Sequence, residues 1–563
     1  MAVLKNKVLF FTTSPRTPSK SIPEIKLLID KFNGRTWDKA LQEEFTKELA
    51  TSNFFEGSGS KKHDSFSARD RITRAPKALG FVNLKPHISL TEAGNAFVNG
   101  KRPQEIFLRQ VLKFQIPSPY HQESKDIEGT FFVKPYLELI RLVRELEYLT
   151  IDELKIFGLQ LTDYRKFDII KNKILNFRQD KEKNRGRYKK YVDETLTKEI
   201  QDIYSERISL GKTKTRETTD ASLKTFINTQ KNNQRDYADA CFRYLRYTGL
   251  ISISHKSKSI SIFADKMTEV DFILDTVDRN PVFIDDTDKY KQYLFSKSVP
   301  VLYTDNRDNL IDILMKIGSY TKRELSGMEL EKLKDLRDDI VQKHKEAVIH
   351  EQVAEIKSYA LYSEIIDTFN EIISDEYYDA PLMFEYNTWR AMTMLDGGDI
   401  KGNFKFDDSG QPLSTAQGNM PDIECNYSDF SMSVEVTMQS GQRQYETEGE
   451  PVARHYGQLK KRSGKDTYCL FIAPNINPAV VAHFFTLNKT NISYYGGKSK
   501  IVPLDLDLFM KLIENSYNYK TQPKSSDIRK LLDRIINKVD SSENETEWYD
   551  YIQICASNWL VCS

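Results

Sequence analysis

Hydrophobic and polar positions repeat one local pattern at two places in the first half of the chain. In residues 68–98, a helical run ends at Gly80, the segments FVNL and HISL alternate like strands, and TEAGNAFV returns to helical spacing. In residues 235–263, a helix ends at Gly249 and is followed by LISIS, the basic turn HKSK and SISIF. This order is typical of a winged helix, which usually places a helix in the DNA major groove. An ordinary helix with a hairpin in a core is the alternative.

The pattern changes twice further along the chain. Prolines and acids around 277–306 indicate a boundary near residue 285, and 322–374 has helical spacing with many opposite charges four residues apart, as in a linker helix. From residue 380, a helix (380–395) is followed by the Gly-rich turn LDGGDIKGNF, the alternating segment FSMSVEVTM, a helix from about Glu450 and the apolar strand YCLFIAP. We therefore predict winged-helix-like recognition subdomains over 1–120 and 121–285, a helical linker over 286–345 and an α/β domain over 346–563.

Composition limits the class of protein. Of 563 residues, 39% are hydrophobic and 29% are charged, which is typical of a soluble globular protein. No apolar run reaches the ~18 residues of a membrane span. The five cysteines lie far apart and form no C-x-x-C pair, which fits a reduced, cytoplasmic compartment.

Charge is distributed unevenly although the net charge is only +1. Basic residues concentrate in 171–190 and 212–216, whereas acids collect later in the chain. This distribution suits a chain that binds phosphates with one part and a metal with another. A solvated charged surface is the alternative for each run.

Two carboxylates stand on segments otherwise suited to a core. Asp422 begins a strand after a proline, and the alternation of FSMSVEVTM turns Glu435 away from the face of Val434 and Val436. On adjacent strands, the two acids would face one point and bind a hard cation such as Mg²⁺. Such an ion polarises a phosphoryl oxygen and acidifies a water molecule, which is what phosphodiester hydrolysis requires.

Other acids are candidates for completing this site. Glu448 or Glu450 lies at the mouth of the following helix, and Glu385 lies on the preceding helix. The N-terminus of a helix also favours an anionic phosphate. The sequence thus predicts one acidic cluster in the last domain.

These residues carry a resemblance to known nucleases. Pro421-Asp422 followed by Glu435-Val436-Thr437 resembles the PD-(D/E)xK core, with Thr437 in the place of the usual lysine. The segments TSPRTPSKSIPEI, RDRITRAPKALGF, PSPYH, RDYADACFRYLRYTGL and SVEVTMQSGQRQYETEGEPVARHYGQL together resemble the AlwI-type family of type IIS restriction endonucleases and strand-specific nicking endonucleases. The resemblance runs over nearly the whole chain.

The resemblance implies a multidomain α+β and α/β protein whose C-terminal PD-(D/E)xK-type nuclease domain cuts DNA a few base pairs outside a short asymmetric site. It places the catalytic acids, with Mg²⁺ as cofactor, at Glu385, Asp422, Glu435 and Glu448. The last three are evenly spaced by 13 residues, with Glu446 and Glu450 as alternatives for the third metal ligand. His455 and Lys460 are the candidates for assisting the attacking water.

The recognition half offers side chains suited to DNA. Arginine suits bidentate contacts with guanine, and Asn or Gln suits adenine, whereas lysines contact phosphates. The candidates are Arg16, Arg69, Arg71, Arg74 and Lys77 in the first subdomain, Asn232, Asn233, Gln234 and Arg235 in the second, and the lysines at 183, 189, 190, 256 and 258.

The implied partner is double-stranded DNA. One active site hydrolyses one phosphodiester at a time, so double-strand cleavage predicts transient dimerisation through the nuclease domain, a partner subunit, or successive turnovers. The resemblance also implies a cognate DNA methyltransferase. The alternatives are a nicking endonuclease of the same family, a non-catalytic winged-helix DNA-binding regulator, and an RNA-directed nuclease or repair enzyme, although no RNP-type aromatic motif or KH loop is present.

Overall fold

A computed structural model of the chain describes residues 2–4, 6–15, 17–52, 54, 70–124, 127, 129–215, 217–396, 399–407, 409–416, 420–519 and 523–560. The described residues form two compact units, which divide between Lys334 and Asp335 except that residue 54 groups with the second unit. The predicted linker 286–345 therefore contributes most of its length to the first unit. None of the helices in these ranges is long and apolar enough to cross a membrane.

The first unit is mainly helical. Its elements are β1 (Ala2–Leu4), α1 (Ser21–Phe32), α2 (Lys39–Ala50), α3 (Ala75–Ala78), β2 (Val82–Asn83), β3 (Ser89–Leu90), α4 (Glu92–Asn99), α5 (Pro103–Lys113), β4 (His121–Glu123), α6 (Pro135–Leu146), β5 (Tyr148–Thr150), α7 (Ile151–Ile156), α8 (Phe167–Lys183), α9 (Tyr188–Ile203), α10 (Ser205–Ser209), α11 (Leu223–Tyr247), β6 (Ile251–Ser254), β7 (Ser259–Ile262), α12 (Met267–Thr276), α13 (Thr287–Phe295), α14 (Arg307–Ile317) and α15 (Lys322–Leu325). Helix α16 (Leu330–Lys357) crosses the boundary between the units.

Both repeated patterns form the predicted helix and hairpin. Helices α3 and α11 are each followed by a glycine with positive φ, 76° at Gly80 and 75° at Gly249, a conformation that residues with a Cβ seldom adopt. Strands β2 and β3 then pair antiparallel, as do β6 and β7, with β5 as a third strand beside β7. The local elements agree with a winged helix, while the DNA-binding role of these modules stays a prediction.

Polar side chains on α5 and in the following segment hold residues 282–296 against the first unit. The buried Lys113 donates to the carbonyl oxygens of Tyr293, Leu294 and Ser296 at 2.7–3.2 Å. The amide of Gln115 donates to Val282 O at 2.7 Å and accepts the Val282 N–H at 2.9 Å. These bonds satisfy backbone groups that would otherwise be costly to bury, and they tie this segment, which follows Pro281, to the rest of the first unit.

The second unit contains a mixed sheet with helices packed against it. Its elements are α17 (Tyr362–Ile373), α18 (Ala380–Asp396), β8 (Asp399–Gly402), β9 (Lys405–Phe406), β10 (Pro412–Ser414), β11 (Ile423–Asn426), β12 (Phe430–Val436), α19 (Gly441–Ser463), β13 (Asp466–Ala473), α20 (Pro478–Lys489), β14 (Ile501–Asp505), α21 (Leu506–Asn518), α22 (Ser525–Ser541) and α23 (Glu545–Ser557).

The strand order of this sheet is β14-β13-β12-β11-β8. Strands β12, β13 and β14 run parallel, whereas β11 pairs antiparallel with both β12 and β8. Strand β12 is buried at every position except Val436, which shows that both of its faces are covered. Polar residues on this strand therefore lie inside the unit.

Two expectations for this unit need correction. The Gly-rich segment predicted as a turn contains strand β8, which forms the edge of the sheet and turns Ile400 into the core. Helix α19 begins at Gly441 and not near Glu450. Pro451 lies inside this helix and does not mark its start. Its polar first half reads as a loop in the sequence, and proline normally marks a helix start.

Candidate active site

Asp422 and Glu435 lie on neighbouring strands. Ile423 of β11 is paired with Val434 of β12, so Asp422, immediately before β11, lies opposite Glu435. The Asp422 carboxylate also accepts the Val436 N–H at 2.8 Å. The structure therefore has the two acids on adjacent strands, as the alternation of the sequence predicts.

Helix α19 places a polar stripe over the strand face that carries Glu435. Glu448, His455 and Arg462 are spaced by seven residues, which is close to two helical turns. Each contacts a strand residue or its extension: Glu448 Oε1 accepts from Thr437 Oγ1 at 2.9 Å, His455 Nδ1 lies 3.1 Å from Glu435 Oε1, and Arg462 Nη2 donates to Glu424 Oε1 at 2.7 Å. The helix and the hairpin thus form one polar seam inside the second unit.

Burial and mutual repulsion govern the charges in this seam. Burial raises the pKa of Glu385, Asp422 and Glu435 well above their usual values. For each of these acids, the second-largest cause of the raised pKa is repulsion from a neighbouring carboxylate. Asp422 acts on Glu385, Glu435 acts on Asp422, and Glu448 acts on Glu435. Burial also raises the pKa of Glu448. A bound cation would favour the ionised form of all four acids.

Glu385 reaches the cluster from α18. Its side chain is buried, and Oε2 accepts the Ala416 N–H at 3.4 Å. After burial, the largest cause that raises the Glu385 pKa is the negative charge of Asp422. The helix that precedes the sheet therefore contributes an acid, as expected.

The alternatives for the third acid point elsewhere. Glu446 and Glu450 are exposed on α19, and Glu450 accepts from Arg454 Nε at 3.2 Å. Only Glu448 of these three bonds to Thr437 in the described residues. The geometry therefore favours Glu448.

His455 and Lys460 also differ in position. His455 Nδ1 lies 3.1 and 3.3 Å from the two carboxylate oxygens of Glu435, and burial, followed by Arg454, lowers the His455 pKa. Lys460 instead extends along the ring of Tyr456 towards the carbonyl oxygen of Lys498, 3.4 Å away. His455 is thus the basic side chain directed at the acids.

The donor set suits a hard cation that keeps much of its water. Within the described ranges, no group of three or more His, Cys, Asp or Glu side chains is arranged to hold a metal ion by itself. Mg²⁺ usually takes only one or two carboxylates and completes its octahedron with water. Asp422 and Glu435, two facing carboxylates whose pKa values rise through burial and repulsion, fit that requirement.

Three residues beside the acids, Asn403, Glu424 and Arg462, were not predicted from the sequence; Glu424 Oε1 accepts from Asn403 Nδ2 at 3.2 Å and from Arg462 Nη2 at 2.7 Å. Glu424 lies two residues after Asp422, so strand alternation would have placed both on one face. Arg462 continues the seven-residue spacing of Glu448 and His455. Asn403 had no such signal, because it follows a strand that the sequence does not reveal.

The described members of the first group of predicted DNA-binding residues have partners inside the first unit. Arg16 and Arg69 lie outside the described residues. The Arg71 guanidinium donates to the buried Glu24, and Arg74 pairs with Asp70 at 2.6 Å. Lys77 lies 4.9 Å from the centre of the Tyr120 ring, and burial lowers its pKa.

The second group is more accessible. On α11, Arg235 is 67% exposed, Asn232 is exposed and Asn233 is half-buried, whereas Gln234 is buried. Lys256 is exposed and Lys258 half-buried in the turn between β6 and β7. Arg235, Lys256 and Lys258 therefore remain the stronger candidates for contact with a nucleic acid.

The acidic hairpin and the family comparison define the class of this protein as a restriction endonuclease, a DNA-binding hydrolase. The model of the AlwI restriction endonuclease family matches residues 77–512, which is most of the chain. The chain belongs to this family. Among curated proteins, no sequence matches it.

Three solved structures are similar in part. The small subunit (R.BspD6I2) of the heterodimeric restriction endonuclease R.BspD6I is 27% identical, with 34% of this chain and 98% of that chain covered at a TM-score of 0.30. The BpuJ1 endonuclease binding domain, in complex with pyrene- and phenanthrene-modified DNA, is 14% identical. The match covers 52% of this chain and 100% of that chain at a TM-score of 0.32. The restriction endonuclease FokI is 10% identical, with coverages of 93% and 98% and a TM-score of 0.24.

Proposed function

We propose that the protein is a Mg²⁺-dependent type IIS endonuclease, which binds a short asymmetric site in double-stranded DNA and hydrolyses phosphodiester bonds a few base pairs outside it. The observation that carries this proposal is the pairing of Asp422 with Glu435 on β11 and β12, beneath Glu448 and His455. Family membership supports the nuclease activity. A regulator without catalysis would have no use for these buried, mutually repelling acids.

Asp422 and Glu435 would hold the ion, with Glu448 as the third candidate ligand and Glu385 as a further acid. Bound Mg²⁺ polarises a phosphoryl oxygen and lowers the pKa of a water molecule. The carboxylates hold their positions through the Val436 N–H and the Thr437 hydroxyl. The protein thus supplies a rigid, partly desolvated cluster of negative charge for the cation.

His455 is the group proposed to handle the proton of the attacking water. Because burial lowers its pKa, the imidazole is neutral at neutral pH and is able to accept a proton. When Glu435 is ionised, its oxygens accept a hydrogen bond from Nδ1–H, which leaves Nε2 as the acceptor. Thr437 cannot take this part, since its hydroxyl is bonded to Glu448.

A single site of this kind hydrolyses one phosphodiester at a time. Cleavage of both strands therefore requires transient dimerisation through the second unit, a partner subunit, or successive turnovers. A strand-specific nicking endonuclease of the same family is the alternative activity. A restriction activity in either form also requires a cognate DNA methyltransferase that protects host DNA.

The decisive experiment compares the wild type with Glu435→Ala on supercoiled plasmid, in Mg²⁺ and in Ca²⁺. Discrete products in Mg²⁺ alone, absent with the variant, would support the proposal, and run-off sequencing would give the site and the offset. Open circles alone would identify a nicking enzyme, and linear DNA would identify double-strand cleavage. DNA binding without any cleavage would favour the regulator instead.

Dimerisation has a separate test. Sedimentation of the protein with cognate duplex in Ca²⁺ should show a species with two protein chains if the chain pairs on DNA. A complex that remains monomeric under conditions where both strands are cut in Mg²⁺ would remove the dimer model.

A further inference from the structure

Asn403 binds the backbone on both sides of the Asp422 side chain. Its N–H donates to Asp422 O at 2.9 Å, and its amide Nδ2 donates to Pro421 O at 2.8 Å. Asn403 directly follows β8, whose last residue, Gly402, is paired with Ile423. Asn403, one residue beyond the edge strand, therefore fixes the carbonyl groups of Pro421 and Asp422, where the chain enters β11.

The same amide connects to an ion pair between the buried Glu424 and the exposed Arg462. Asn403 Nδ2 also donates to Glu424 Oε1 at 3.2 Å, and Arg462 Nη2 donates to that oxygen at 2.7 Å. Glu424 is only 8% exposed, whereas the Arg462 side chain is 56% exposed. A buried carboxylate shared by an amide and a guanidinium has a defined orientation, and so does the amide that contacts it.

We propose that Asn403, Glu424 and Arg462 form a positioning network that holds the carboxylate of Asp422 opposite Glu435 for binding of the divalent cation. The network touches neither the cation nor the substrate. It acts through the backbone of residues 421–422, which on the other side is restrained by the bond between Asp422 and the Val436 N–H. This inference rests on the proposed function, because it assigns a purpose to the position of Asp422.

Partners behind metal ligands orient them, and their removal typically weakens metal affinity by about 10–100-fold. Asn403→Ala should therefore raise the Mg²⁺ concentration for half-maximal cleavage by about tenfold or more. The affinity for DNA in Ca²⁺-containing buffer should stay unchanged. Arg462→Met should show a smaller shift in the same direction, and Glu424→Gln, which keeps the accepting oxygen, should lie close to the wild type.

A second readout does not depend on cleavage. Calorimetric titration of the DNA-free full-length chain with Mn²⁺ should show the same order of affinities, from wild type to Arg462→Met to Asn403→Ala. Asn426→Ala is the matched control, because Asn426 is an exposed asparagine at the end of β11. Arg462→Met changes an exposed side chain, so it keeps the test valid if Asn403→Ala does not fold.

The outcomes separate the inference from the proposed function. If the wild type cuts DNA and both folded variants match its Mg²⁺ and Mn²⁺ dependence, the positioning network is wrong and the nuclease stands. If the wild type binds Mn²⁺ without cutting DNA and the variants bind it more weakly, the network stands and the proposed reaction is wrong. A wild type that neither binds the ion nor cuts overturns both.

Discussion

The hydroxyl of Thr437 donates a hydrogen bond to Glu448 Oε1 over 2.9 Å, at the position where the resemblance to the PD-(D/E)xK motif would place a lysine. The same oxygen of Thr437 accepts the Gln439 N–H at 3.1 Å, so both capacities of the hydroxyl are used. Thr437 is buried, and the bond directs Glu448 towards the strand pair. A neutral side chain thus orients Glu448, and His455 is the described imidazole in contact with Glu435.

The first prediction concerns this hydroxyl. Thr437→Val keeps the shape of the side chain and removes the donor, which leaves Glu448 Oε1 with only the longer bond from the Thr447 hydroxyl, at 3.4 Å, among the described residues. Because such a bond contributes about 1 kcal/mol, single-turnover cleavage should slow by about fivefold to tenfold. Thr437→Ser keeps the donor and should retain most of the rate. Equal rates for the valine variant and the wild type, with unchanged folding by circular dichroism, would refute the role of the hydroxyl.

The second prediction distinguishes His455 from Lys460. His455→Ala removes the only described imidazole in contact with Glu435, and its single-turnover rate should fall by about 10²–10⁴-fold, the usual contribution of a general base. Lys460→Met removes a side chain that is directed towards Lys498, so it should cut at nearly the wild-type rate. Both variants should bind cognate DNA normally in Ca²⁺. The reverse order of the two rates would assign the proton transfer to Lys460.

The sequence was sufficient to predict the strand pair but not the whole site. A period of two placed Glu435 on the opposite face from Val434, and the register of β11 and β12 has this arrangement. Glu385, Glu448 and His455 did not follow from this periodicity; their prediction rested on the flanking helices and on the resemblance to the AlwI-type family. The period of two is readable here because serines alternate with Met432, Val434 and Val436 along β12, although nearly every position of the strand is buried.

The rest depended on contacts between distant segments. Asn403 reaches Pro421 and Glu424, which are 18 and 21 residues away, after an edge strand hidden in a glycine-rich segment. In the first unit, Arg71 suits guanine by residue type alone, yet it is bonded to Glu24, 47 residues earlier. The residue type therefore indicates which contacts a side chain is able to make, whereas the fold decides which group it actually contacts.

The third prediction separates DNA contact from structural support. Lys256→Ala should weaken binding to all DNA sequences to a similar degree. It should also reduce the slope of log affinity against log salt concentration by about one. Arg235→Ala should cost about 1–3 kcal/mol of discrimination at one base pair, because its exposed guanidinium suits a guanine edge. Fluorescence anisotropy at several salt concentrations measures both effects.

Arg71→Ala provides the contrast for this prediction. It leaves the buried Glu24 without its guanidinium, so it should lower the thermal midpoint and destabilise the fold by about 1–3 kcal/mol. Its salt dependence of DNA binding should resemble the wild type. A stable Arg71→Ala protein with reduced DNA specificity would show instead that Arg71 contacts a base.

The last prediction concerns pH and Lys113, far from the acids in sequence. Burial, followed by repulsion from Arg109, lowers the Lys113 pKa from 10.5 to about 7, although three carbonyl oxygens accept from its Nζ. Between these two pKa values the unfolded chain binds a proton that the folded chain does not. The free energy of unfolding should therefore rise with pH above 7, by up to about 1.4 kcal/mol per pH unit from this group. Below pH 7 the folded and unfolded states both bind the proton, so Lys113 no longer makes the free energy of unfolding depend on pH.

Lys113→Met tests this dependence directly. The variant should be less stable than the wild type at pH 9, because it has lost the hydrogen bonds of Nζ. Its free energy of unfolding should also lack the increase between pH 7 and 9 that Lys113 contributes in the wild type. Lys316→Met, which removes an exposed lysine of α14, should keep the wild-type slope. Urea denaturation of the three proteins at several pH values measures the difference. Parallel pH profiles for Lys113→Met and the wild type would mean that Lys113 stays charged in the folded protein, and that the three carbonyl oxygens outweigh its burial.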